Sequence, residues 1–230
     1  MSPHSTQRSF LAAFVLVLAM ASLSAAPARA EPLRLVAGGA VQVNESPGIS
    51  GNLDFRLVFG GGVQLGLALR AGALDRAYPG GYAERGAIEY GGAAVALFPL
   101  LKHGALALDL RTVVGATQLS LSDAQPHDAA TRLNVELAMF ARVTLSELLT
   151  LRVGAVLGYD QELSPSAETA DQSQRLTVGL LVHPAPTWAV YALVDGGGTY
   201  GFDGDNAKMM VRGELGVRVA LGGDVLPLAF

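Results

Sequence analysis

The chain has 230 residues, half of them hydrophobic and 28 of them glycine, with 16 basic and 20 acidic side chains. A formal charge of −4 is not the profile of a nucleic-acid binder. The absence of cysteine excludes a disulfide framework, thiol chemistry and a cysteine-linked lipid anchor.

The first predicted element is an export signal. Arg8 precedes an apolar stretch from Phe10 to Leu23, and small residues then close on Ala28, Arg29 and Ala30. This is the pattern of a secretory signal peptide over residues 1–30, and the stretch is too short for an ordinary spanning helix. With Glu31 as the expected mature start, the loss of Arg8 and Arg29 leaves 14 basic against 20 acidic side chains, a net charge of −6. Residues 31–230 are expected to form one domain. They contain no uncharged run of about 18 apolar residues, so a helical membrane span is not expected.

From residue 31 onward the sequence has a period of two. Leu133, Val135, Leu137, Met139, Ala141, Val143 and Leu145 share one parity, whereas Arg132, Asn134, Glu136, Ala138, Phe140, Arg142 and Thr144 share the other. Successive strand side chains point to opposite faces, so this stretch reads as a strand with one apolar and one mixed face. At a helical period Arg142 and Arg152 would fall among leucines. The predicted strands are 33–44, 52–60, 63–75, 87–99, 105–121, 132–145, 148–161, 174–183, 187–200 and 208–221, ten in all, with eight as the next count. Short links near 60, 101, 146 and 183 alternate with longer polar ones such as "RAYPGGYAERG", "SDAQPHDAAT", "LSPSAETADQSQ" and "FDGDNA". The first link, "ESPGISG", is intermediate.

Strands of about 10 to 14 residues exceed the soluble norm of roughly 5 to 6 and match the roughly 9 to 11 tilted residues that cross a bilayer. Over residues 31–230 the chain therefore resembles small bacterial outer-membrane β-barrel proteins, in pattern, export signal and even strand count, with no family-specific motif. The resemblance implies an all-β fold: a closed antiparallel up-and-down transmembrane barrel, inserted from the periplasm by the barrel-assembly machinery. Short turns would lie on the periplasmic side and long loops outside, with outer-membrane lipid as the surrounding partner. The resemblance also implies a last strand ending in an aromatic residue. Phe230, Leu228 and Leu226 fit this, but Pro227, Asp224 and Gly222-Gly223 interrupt it, so the final nine residues are either a bulged strand end or a tail.

Alternation alone does not say which face is outside. A soluble secreted or periplasmic ligand-binding barrel would turn its leucines inward. Ten long strands carry more Leu and Val than a small barrel can enclose, and the mixed face carries scattered Arg, Asp and Glu. Tyr90, Phe98, Tyr159, Trp188 and Tyr200 fall near strand ends on the apolar face, as membrane-interface girdles require. The apolar face is therefore expected to meet lipid.

The inward parity carries Arg34, Asp54, Arg56, Arg70, Glu89, Asp109, Arg111, Glu136, Arg142, Arg152, Arg175, Asp195, Arg212, Glu214 and Arg218. Buried charges are costly unless paired, so this set is expected to form arginine–carboxylate pairs across the lumen. The same arginines could instead select anions in a narrow pore.

Acidic residues also gather in the predicted outer loops: Asp123, Asp128, Asp160, Glu162, Glu168, Asp171, Asp203 and Asp205. A solvated loop surface explains them, and "DGDN" at 203–206 lacks the Gly and distal Glu of a calcium loop. His103 and His183 fall in predicted short turns. His127, beside Asp128, with Asp160 could imitate a rim-sited hydrolase, but no spacing supports one. The glycine clusters have no following helix and suit tight turns in a curved sheet. No cofactor or metal is expected. The expected role is non-enzymatic, structural or in surface interaction through the outer loops, with an external partner unspecified. A narrow anion-favouring pore is the alternative, and a rim hydrolase or soluble barrel stands behind it.

Overall fold

Ten strands follow one another in the computed structural model, which describes residues 34–44, 48–74, 87–121, 130–164, 170–201 and 208–221. They are β1 (Arg34–Asn44), β2 (Gly48–Val58), β3 (Gln64–Leu74), β4 (Ala87–His103), β5 (Leu106–Leu121), β6 (Ala130–Ser146), β7 (Leu149–Ser164), β8 (Ala170–Ala185), β9 (Trp188–Gly201) and β10 (Lys208–Leu221). Each pairs antiparallel with its chain neighbours, and β1 pairs with β10 from Leu35↔Leu221 to Asn44↔Arg212, which closes the sheet into a barrel. Closure leaves no sheet edge for lipid to strand. The expected signal peptide at 1–30 and the segment 222–230 lie outside the described residues.

Each strand overlaps a segment expected from the alternation, and the differences at the ends have local causes. β2 begins at Gly48 because exposed Ile49 and buried Ser50 already alternate. β4 runs past Pro99 to His103, and its register to β5 shifts between Pro99 and Leu101. Proline cannot donate to the ladder, so an irregularity there lets the strand continue. β7 extends to Ser164 and β8 starts at Ala170, so much of "LSPSAETADQSQ" is strand rather than loop.

Gly60–Gly62 forms a single 3-10 turn between β2 and β3, and Gly104 begins the two-residue turn between β4 and β5. Gly61 and Gly104 have φ of 73° and 57°, a left-handed conformation that favours residues without a Cβ. The strands are strongly tilted. Traced from partner to partner, the row starting at Arg34 passes Val58, Gln64, Leu97, Arg111, Ala138, Val156, Arg175 and Gly197 to Met210. It climbs from the turn end of β1 to the loop end of β10, as the stagger of a closed barrel demands.

The two faces separate cleanly. Outward stand Leu53, Leu67, Met139, Leu157, Leu176, Val194 and Leu215, with Leu176 70% exposed. Inward stand Arg56, Asp109, Arg142, Arg152, Arg175, Asp195 and Arg218, all buried. The small apolar core also faces inward. Val58, Leu181, Ala189, Tyr191, Leu193 and Ala220 form one cluster toward the turn end, and Ala138, Phe140 and Val156 form another.

Candidate functional site

The barrel interior is where the sequence placed its charged residues. Two strands apart, Glu136 on β6 and Arg175 on β8 form an ion pair over Gly158, the β7 residue that lies opposite Glu136. Glu136 also holds Arg111 of β5 at 3.2 Å. On the other side Arg175 lies 3.5 Å from Asp195 of β9, which pairs in turn with Arg212 of β10. The result is one ladder, Arg111–Glu136–Arg175–Asp195–Arg212, contributed by five strands. Each carboxylate is shared by two guanidiniums, so the charge-assisted bonds that offset desolvation are shared as well.

A second group sits nearer the turn end. Asp54 accepts from Arg56 at 2.6 Å and lies 3.1 Å from Arg218. Arg56 also donates to Gln64 at 3.4 Å. Arg218 stands over the ring of Tyr191 at 5.3 Å, and the Tyr191 hydroxyl donates to Glu214 at 2.7 Å. Arg142 pairs with Asp109 through two nitrogens. Its cross-strand partner Arg152 stacks on Phe140 at 3.6 Å, with Arg111 on the same ring at 5.3 Å. Phe140 and Tyr191 each lie opposite a glycine, Gly154 and Gly216, where a Cβ would strike the ring. Aromatic rings laid across strand glycines in this way fill the space a missing side chain leaves.

Toward the loop end Arg70 pairs with Glu89 at 2.8 Å and Arg132 with Glu162 at 3.9 Å. Thr117 donates to Asn134 at 2.6 Å, and Asn134 donates to Asp160. Arg34 opens β1 opposite Val58, and its side chain lies outside the described residues.

Arg132, Glu162 and Asp160 were not in the inward set read from the sequence. Asp160, at the end of the predicted 148–161 strand, and Glu162, just past it, are expected at an outer loop, as is Asp171; all three lie in strands, Asp171 as the second residue of β8 and the cross-strand partner of Asp160. The signal is present: the outward beat of Leu157, Tyr159 and Gln161 continues at Leu163, past the predicted strand end at 161. His183, expected in a turn, lies within β8, whereas His103 is the last residue of β4. His127 and Asp128 lie outside the described residues, as do Asp123, Glu168, Asp203 and Asp205. Among the described residues no group of three or more His, Asp or Glu could hold a metal ion.

The five aromatics separate by end. Tyr90, Tyr159 and Tyr200 lie near the loop ends of β4, β7 and β9, and Phe98 and Trp188 near the turn ends of β4 and β9. Tyr90, Tyr200 and Trp188 are exposed, and Phe98 and Tyr159 are partly so.

No family model matches the chain, and no curated protein matches it. Among solved structures it is similar to an outer-membrane channel from Pseudomonas putida F1. That likeness has 11% identity and a TM-score of 0.53, and covers 84% of this chain and 97% of that one. It is also similar to the β domain of the Bordetella autotransporter Brka, with 13% identity, a TM-score of 0.49 and coverage of 83% and 100%. Neisserial surface protein A gives 12%, 0.42, 83% and 98%. The fold is that of outer-membrane β-barrel proteins. A wall of exposed leucine and valine around an ionic interior is solvated by lipid, not water, and a closed barrel so built resides in the outer membrane. Lipid around the wall and insertion by the barrel-assembly machinery go with that fold.

Proposed function

We propose that this chain is a non-enzymatic outer-membrane barrel with a side-chain-filled interior, acting as a structural or surface-interaction protein through the longer links between its strands. The burial of the inner guanidiniums carries this reading. Arg152 is 2% exposed, Arg56 and Arg218 4%, Arg175 5% and Arg142 7%. A lumen of flowing water would leave these groups accessible, and they are held instead against carboxylates and rings. The ladder crosses the interior, and the apolar cluster around Leu181 and Tyr191 adds a second layer toward the turn end. Small barrels filled by their own side chains have this construction.

A soluble ligand-binding barrel would need its apolar face inward, and Leu176, Leu67 and Val194 face out. A narrow anion-favouring pore is the second reading. It is supported by the concentration of Arg56, Arg142, Arg152 and Arg218 toward the turn end, against Asp54 and Asp109. Planar-bilayer recording tests between them: the purified wild-type barrel is expected to insert silently, and stepwise anion-selective conductance would reject the filled-barrel reading.

A further inference from the structure

On the outer wall the tyrosines near the loop ends are not equivalent. Tyr90 donates to Gln118, its cross-strand partner, at 2.6 Å, and Tyr159 donates to Gln161 at 3.2 Å. Those amide oxygens are already engaged. Between Tyr159 and Tyr200 the register places Gln172, and one step below it Gln174 lies opposite Gly198. Both glutamines are exposed, and neither side chain makes a hydrogen bond among the described residues. Each amide therefore presents a carbonyl acceptor and an NH2 donor outward.

The ring of Tyr200 lies over Gly198, where an added Cβ would sit 2.9 Å from Cζ. Glycine at 198 thus leaves room for the ring beside Gln174, and Tyr200 is 45% exposed. Below this platform the surface turns apolar: Leu176, Val178 and Val194 are exposed, and Gly196, opposite Leu176, has open space where a Cβ would be.

We propose that this face of β8 and β9 is a docking site for a sugar-headed lipid of the outer leaflet. The flat ring suits the C–H face of a pyranose, whose slightly positive hydrogens meet the negative face of the aromatic quadrupole. The two amides, two residues apart on one strand face, match neighbouring hydroxyls that both donate and accept. The acyl chains continue down over Leu176, Val178 and Val194, in line with the lipid-facing wall. Phosphate is the wrong head group, because Arg152, Arg175 and Arg218 are buried inward and the described side chains of this patch include no cation. The inference rests on the membrane reading of the barrel.

The test uses the full chain refolded in a polyoxyethylene detergent, whose head carries no sugar. Native mass spectrometry then counts bound digalactosyl diacylglycerol or phosphatidylglycerol of the same acyl chains. Two neutral hydrogen bonds predict retention of the galactolipid over phosphatidylglycerol by roughly tenfold. Gln172→Leu with Gln174→Leu should bring that ratio to parity while the unheated protein still migrates as a closed barrel. Equal retention of both lipids, preference for phosphatidylglycerol, preference that survives the double substitution, or lipid-free dimers would each overturn the proposal. Failure of the wild type to enter phosphatidylcholine vesicles would instead reject the membrane reading on which it rests.

Discussion

The guanidinium carbon of Arg152 stands 3.6 Å from the ring centre of Phe140, and that ring occupies the place a side chain at Gly154 would take. A stacked, desolvated cation and ring attract by about 2 kcal/mol. A double-mutant cycle with Phe140→Leu and Arg152→Met, read by urea unfolding in phospholipid vesicles, should return a coupling of about 1 to 2 kcal/mol. Gly154→Val alone should cost about 1 to 3 kcal/mol, since its Cβ meets both the Phe140 ring and the Met139 carbonyl. A coupling near zero would mean that the two groups are neighbours only.

Asp195 serves two guanidiniums, so its loss should be felt twice. Asp195→Asn leaves Arg175 and Arg212 without the charge they share, at a cost of about 3 to 5 kcal/mol in the same unfolding assay. Pairing Asp195→Leu with Arg212→Met removes charge from both sides and should recover a large part of that loss, because apolar replacement of a buried pair is often near neutral. If the single and double substitutions are equally destabilising, the ladder is not an energetic unit.

The two-beat alternation made the strands and their faces legible, because most outward residues are apolar and the charged residues share the inward parity. Partner choice was not legible. Glu136 and Arg175 share a face by parity, yet their contact depends on β7 offering Gly158 between them, which register and tilt decide together. The same limit hid the pairing of Arg132 with Glu162. Arg132 opens the predicted 132–145 strand on the charged parity, but Glu162 falls just past the predicted end at 161, in polar sequence where composition suggests a loop and only the outward beat continuing to Leu163 says otherwise. The open amides of Gln172 and Gln174 differ from the engaged Gln118 only through contacts, which no spacing encodes.

Lipid exposure predicts a depth-dependent cost on the outer wall. Leu176 lies between the levels of Trp188 and Tyr200, whereas Met209 lies near the loop end of β10. Leu176→Arg should lose about 2 to 4 kcal/mol of folding free energy in vesicles, and Met209→Arg no more than about 1 kcal/mol. Both residues are highly exposed, at 70% and 79%, so a water-facing wall would tolerate both substitutions equally.

On the filled-barrel proposal two layers in series close the lumen, and they can be removed separately. Replacing Glu136, Arg175, Asp195 and Arg212 by Ala would clear the central ladder but leave Leu181 and Tyr191 closing the turn end. That variant should remain silent in a planar bilayer. Adding Leu181→Ala and Tyr191→Ala should open a conducting path, lined at its inner end by Arg56, Arg142, Arg152 and Arg218, and so anion-favouring. Conductance from the ladder variant alone would show that the apolar cluster is not a seal, and silence from both variants would move the closure to residues outside these two layers.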